Sequence, residues 1–164
     1  MKRILPALLA TLSLPAWGCY TPPPEQLTAP EQLIERTERI VLAKVVEAKV
    51  TSDSYNILYT FETVRSLKGR VPNRFELPGY PAIWEGDNRR FNDHTDDRFW
   101  VAHGGRSSND TDCQIHPSFS VGGTYLVFLD KPYHVKSFEI IIRTHGGPDK
   151  QDKWLQYVER RAGR

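Results

Sequence analysis

Residues 40–50 read Ile-Val-Leu-Ala-Lys-Val-Val-Glu-Ala-Lys-Val, a β-branched and partly alternating run that specifies a strand. A second strand is expected over 55–67, with Tyr59, Phe61, Thr63 and Arg65 on one face and Thr60, Glu62 and Val64 on the other. Lys68-Gly69-Arg70 turns the chain into a shorter third strand over 74–77, ahead of Pro78-Gly79. Two more are expected over 124–129 and 137–143, the first opened by Gly122-Gly123 and closed by Asp130-Lys131-Pro132. Strands this numerous and this short predict a mainly β fold, a small five-stranded closed sheet.

The flanks of this β region are helical. Thr28-Ala29-Pro30-Glu31 reads as a capping box, with Thr28 at the N-cap and Pro30 in the first turn, opening a short helix to about Glu38. At the other end His145-Gly146-Gly147 breaks the last strand. Pro148 and Asp149 are expected to start a C-terminal helix whose Trp154, Tyr157 and Val158 cover the sheet. His134 and His145 fall at turns and are expected to face solvent.

The first eighteen residues form a separate unit. Lys2 and Arg3 are followed by an uncharged apolar run over 4–14, then by Ala16-Trp17-Gly18 before Cys19, the three regions of a cleaved secretory signal. The run is about half the roughly 20 residues that a membrane span requires. The expected organisation is a signal over 1–18 and a single domain over 19–164, secreted or periplasmic. A bacterial lipoprotein signal also ends at a cysteine, which is then acylated. On that alternative Cys19 is lipid-anchored in the cell envelope, although Ala16 and Trp17 fit the pattern imperfectly.

The chain has 22 basic and 20 acidic residues, and removal of Lys2 and Arg3 balances the two. A chain without a basic excess lacks the clustered cations that nucleic-acid binding needs, so no nucleic-acid partner is expected. Cys19 and Cys113 are the two cysteines. In an oxidising compartment such a pair most simply forms one disulfide, closing a loop of about 95 residues worth roughly 4–5 kcal/mol in the chain-entropy view. Acylation of Cys19 would exclude that bond.

With these elements placed, the chain resembles the bacterial TIMP-like, or netrin-module, OB-fold family. The resemblance rests on Cys19 at the mature N-terminus, a helix running into the 40–50 strand, Tyr59-Thr60-Phe61 with Leu67-Lys68-Gly69, and then Cys113, Phe119, Gly122 and Tyr125-Leu126-Val127-Phe128. It covers most of 19–69 and 113–143. It implies an OB-fold-like barrel with a short N-terminal helix and a C-terminal helix, and a Cys19–Cys113 bridge. The family usually begins Cys-x-Cys, whereas position 21 here is Thr and the last strand ends Arg143-Thr144-His145. In the family the second cysteine is bonded to one near the last strand, and both halves of that bridge are absent here together.

A second departure is a long insertion over 79–112, containing Trp84, Phe91, Phe99 and Trp100 among many charges. A connection of this length either packs as a loop or carries recognition. In animal TIMPs the N-terminal cysteine chelates the zinc of a protease, and of that machinery Cys19 alone carries over. Tyr20 would then face the specificity pocket, and Pro22 to Pro24 would stiffen the edge. The partner-binding residues expected are therefore Cys19, Tyr20 and Thr21, with Trp84, Phe91 and Trp100 from the insertion.

His94, His103 and His116, with Asp93, Asp96, Asp97 and Asp112, are the nearest approach to a zinc set. They lack ligand spacing and are expected to be solvated loop residues. Ser107-Ser108 and Ser118-Phe119-Ser120 lack a nucleophile elbow. No catalytic residue, metal or cofactor is therefore assigned. The expectation is an exported binding module, not an enzyme, whose partner is another protein, a metalloprotease being the form the resemblance implies. Membrane contact is expected only if Cys19 is lipidated. The alternatives are an envelope lipoprotein with a structural role and, third, a zinc-dependent enzyme.

Overall fold

The structure is a computed structural model that describes residues 21–52, 56–82, 94, 105–141 and 152–163. A 3-10 turn, Pro24–Gln26, leads into helix α1, Pro30–Arg36. Strands β1, Ile40–Val50, β2, Ile57–Lys68, and β3, Arg74–Gly79, form a meander. Strands β4, Thr124–Phe128, and β5, Phe138–Ile140, follow, and helix α2, Lys153–Ala162, ends the described chain.

All five strands belong to one antiparallel sheet in the order β3-β2-β1-β4-β5. The mainly β class and the five strands are as expected. Among the described residues the sheet is not closed: β3 and β5 are its two edges and do not pair, which corrects the expected closed sheet. The register between β1 and β2 shifts at Ile40/Val41, Leu42/Ala43 and Val45/Glu47. Such bulges bend and coil a hairpin.

The first half of β1, residues 40–45, is buried on both faces because each face has its own cover. Val41, Ala43 and Val45 join Tyr59, Phe61, Tyr125, Val127 and Phe138 on one side. Ile40 and Leu42 join Leu126 and Phe128 on the other, under Leu33 and Ile34 of α1 and Trp154, Leu155 and Val158 of α2. At ~25 cal/mol per Å² of apolar surface, each of these large side chains stabilises the fold by roughly 1.5–3 kcal/mol before entropy is counted. Trp154 and Val158 are fully buried as expected, whereas Tyr157 is half-buried, with its hydroxyl donating to Glu31 of α1.

The helix ends differ from the expected ones. The N-cap of α1 is Ala29, one residue beyond Thr28, and the reciprocal contact comes from Gln32, whose Oε1 accepts from the Ala29 N–H at 3.3 Å. α1 ends at Arg36, where Thr37 turns its hydroxyl back onto the Leu33 carbonyl at 2.7 Å. Helix α2 starts at Lys153, capped by Asp152, whose Oδ1 accepts from the Leu155 N–H at 2.8 Å. The expected start at Pro148 lies outside the described residues, as does the signal over 1–18. Asp130 pins the strand ends together, its carboxylate accepting from the backbone N–H groups of Glu38 and Arg39 and from the Arg39 guanidinium. Among the described residues no helix is long and apolar enough to cross a membrane.

Residues 105–121 fill the opening between the sheet edges without a strand of their own beyond the Asn109–Ile115 bridge. The Tyr80 N–H, at the end of β3, donates to the Pro117 carbonyl at 2.9 Å. Near β5, the Ser107 N–H donates to the Val135 carbonyl at 3.1 Å. Both approaches require glycine. A Cβ on Gly79 would stand 1.9 Å from the Pro117 oxygen, and one on Gly105 would stand 2.2 Å from the Val135 oxygen. Phe119 descends from this segment into the core, edge-on to Tyr59, Phe61, Tyr125 and Phe138 at 4.9–5.5 Å.

Candidate functional site

The N-terminal edge is held at three points. The three prolines, Pro22 to Pro24, set an extended approach and then the start of the 3-10 turn. At the end of that turn Gln26 is buried, and its Nε2 donates to the Cys113 carbonyl at 2.7 Å. The Gln26 carbonyl accepts from the Val135 N–H at 3.2 Å. Two residues on, the Thr28 carbonyl meets His134 Nε2 at 2.9 Å. Because His134 Nδ1 accepts from the Lys136 N–H at 3.0 Å, the proton that faces Thr28 sits on Nε2. His134 is fully buried, correcting the expectation that it faces solvent. A turn histidine is drawn inside when both ring nitrogens find backbone partners there.

Cys113 lies in a tight hairpin. Its φ is +64°, and its N–H donates to the Asp110 carbonyl at 3.0 Å. The Asp110 N–H in turn donates to the Gln114 carbonyl at 2.8 Å, and Asp112 accepts from the Gln114 N–H at 2.9 Å. Hydrogen bonds from His116 and the Gln114 N–H hold the Asp112 carboxyl below its usual range, and the His116 ring stacks on Tyr80 at 4.6 Å. Beside Cys113 a groove of about 360 Å³ is lined by Gln26, Gln114, Ile115, Lys131, Pro132 and Tyr133. Cys113 is not a free thiol. Cys19 lies outside the described residues.

Of the expected contact residues, Thr21 is described and exposed at the head of this edge. Cys19, Tyr20, Trp84, Phe91 and Trp100 lie outside the described residues, as do His103 and the acidic residues 93, 96 and 97. His116 is half-exposed and paired with Asp112 at 2.7 Å.

His94 is not a solvated loop residue. It is 3% exposed, with Nδ1 2.5 Å from Asp152 Oδ2 and Nε2 3.4 Å from Glu139 Oε2. Glu139 is itself fully buried and accepts from the Arg106 N–H at 2.7 Å. Burial opposes a charge on the imidazole, but hydrogen bonds to Asp152 and Glu139 and their charges outweigh it, raising His94 to about 9. Burial pushes the Lys136 ammonium down to about 8, against the attraction of Glu139. This cluster brings together β5, the cap of α2 and the insertion, which sequence spacing could not do. Asp152, three residues before Leu155, carried a readable N-cap signal. Glu139, between Phe138 and Ile140, carried none. Among the described residues no group of three or more His, Cys, Asp and Glu side chains is placed to hold a metal ion.

Compared with known proteins, the chain matches no family model, no curated protein and no solved structure.

Proposed function

We propose that the chain is an exported protein-binding module whose N-terminal edge, Cys19 to Gln26 with Cys113, is the contact surface. The observation that carries this reading is the three-point fixing of residues 26–28 against Cys113, His134 and Val135. An edge ordered before its partner arrives loses less entropy on binding. The groove beside Cys113 offers a partner side chain an apolar wall, Ile115, Pro132 and Tyr133, with Gln114 and Lys131 at its rim. The strand order supports a partly open relative of the OB-fold barrel, in which closure would bring β3 to β5 and residues 105–121 occupy the gap instead. A Cys19–Cys113 disulfide would fasten the free end of this edge, and zinc endopeptidases are the first partners to test.

The test begins with the intact mass of the mature protein from its native host, before and after reduction. The expected mass starts at Cys19 and gains two hydrogens on reduction. A mass carrying a diacylglyceryl group, unchanged by reduction, overturns the free edge and makes the chain an envelope lipoprotein. The mature protein is then titrated into a panel of zinc endopeptidases beside a form extended by one residue at its N-terminus. Inhibition that the extension abolishes is the expected result. Absence of inhibition by the correctly processed chain removes the protease reading.

A further inference from the structure

We propose that His94 is a proton-dependent latch: its imidazolium, clamped between Asp152 and Glu139, fastens the start of α2 to β5. The inference is independent of the protein-binding reading. It stands on the geometry of a buried cation between two buried carboxylates, each of which has a second duty. Asp152 uses Oδ1 to cap α2 through the Leu155 N–H and Oδ2 to meet His94. Glu139 uses Oε1 to hold the Arg106 N–H at 2.7 Å and Oε2 to face His94 at 3.4 Å. One imidazole therefore joins three stretches of chain distant in sequence.

Its charge follows from this arrangement. A neutral ring has one N–H, so it could donate to one carboxylate and would turn a lone pair toward the other. The protonated ring donates to both. Among the described residues, the charged groups facing the cluster are Asp152 from the cap of α2, Glu139 from β5, Lys136 from the turn before β5, and Arg106 from the 105–121 segment. Lys136 and Arg106 are both attracted to Glu139 and temper its pull on His94 without replacing it as a partner of the ring. Loss of the His94 proton leaves the two carboxylates facing one another across a neutral ring, and the tie between β5 and the start of α2 weakens at this point.

Two readouts on the full mature chain test the latch. The first is the NMR titration of the His94 ring in the wild type, in Asp152→Asn and in Glu139→Gln. Asn remains a competent N-cap, and Gln still accepts from Arg106, so both variants remove charge while preserving the second duty. The expected midpoint is about 9 in the wild type and falls by at least about one unit in each variant, a tenfold change in proton affinity. A wild-type midpoint in the ordinary histidine range overturns the proposal.

The second readout is tryptic cleavage after Lys153, the first residue of α2, scaled at each pH to the rate on the unfolded chain. Cleavage should quicken about tenfold between pH 7 and pH 10 in the wild type, as expected when a local opening is made easier. In His94→Gln it should already be fast at pH 7. If His94→Gln does not fold, the wild-type pH series decides alone. Titration near 9 with no change in scaled cleavage overturns the latch and leaves His94 as a structural cation.

Discussion

On one face of the sheet α1 and α2 lay Leu33, Ile34, Trp154, Leu155 and Val158 over Ile40, Leu42, Leu126 and Phe128. On the other, residues 105–121 bring Phe119 and Ile115 into an aromatic core along with many polar contacts. A helix satisfies its own backbone, so it can cover a sheet with side chains alone. An irregular segment must find partners for each buried peptide group. The Ser120 N–H therefore donates to the Tyr125 hydroxyl at 2.9 Å. The Arg106 guanidinium, stacked 5.0 Å from the Tyr125 ring centre, donates to the Ser118 and Phe138 carbonyls. The helical cover is held by area and the irregular one by a few specific anchors, so the two should fail differently.

The sharpest test of that contrast is Phe119→Ala, expected to cost about 3–5 kcal/mol in denaturant unfolding. Leu155→Ala on the helical face should cost about 2–5 kcal/mol. The difference lies in what accompanies the loss: Phe119→Ala should also speed amide exchange at Tyr80 and Ser107, where the segment is hydrogen-bonded to the rest of the fold. Equal and purely global effects would erase the contrast.

Next in size is the pH dependence of the cluster where both covers meet. His94 is raised from 6.5 to about 9, a contribution on the order of 3 kcal/mol. Because the folded state binds the proton more tightly, this stabilisation is complete below about pH 6.5 and disappears as pH rises through about 9. Lys136, lowered from 10.5 to about 8, acts in the opposite sense between those two values. The stability difference between wild type and His94→Gln, followed by urea titration from pH 6 to 10, isolates the histidine.

Arg106→Met keeps the apolar stem over Tyr125 but strands the Ser118 and Phe138 carbonyls, at an expected cost of about 1–3 kcal/mol. A neutral outcome would mean that water replaces the guanidinium and that the irregular cover does not depend on this anchor. The smallest effect is expected at Val121, which is 59% exposed at the end of the segment. Val121→Ser should leave the unfolding midpoint within about 0.5 kcal/mol of wild type.

Much of the sheet is legible in the amino-acid sequence. β4 and the first half of β1 are buried on both faces, and a run such as 40–45 or Tyr125-Leu126-Val127-Phe128 has few other places to go. The last strand is shorter than its pattern implied, β5 spanning Phe138–Ile140 within the expected 137–143. The third is longer, because Pro78 is tolerated on an edge and the pairing reaches Gly79. His94 and His134 depart from the sequence expectation for one reason. Burial of a polar side chain depends on partners supplied from far along the chain, as Thr28 supplies them to His134 and Asp152 to His94.

The amino-acid pattern by itself determined the strands, the two helices and the apolar stripes that place the helices on one face, because periodicity and turn chemistry are local properties. Tertiary structure decided that the sheet stays open, that residues 105–121 occupy its gap, and that His94, Glu139, Asp152 and Arg106 share one buried site. Those outcomes depend on which distant groups can satisfy one another once water is excluded, a condition that no local window of sequence contains.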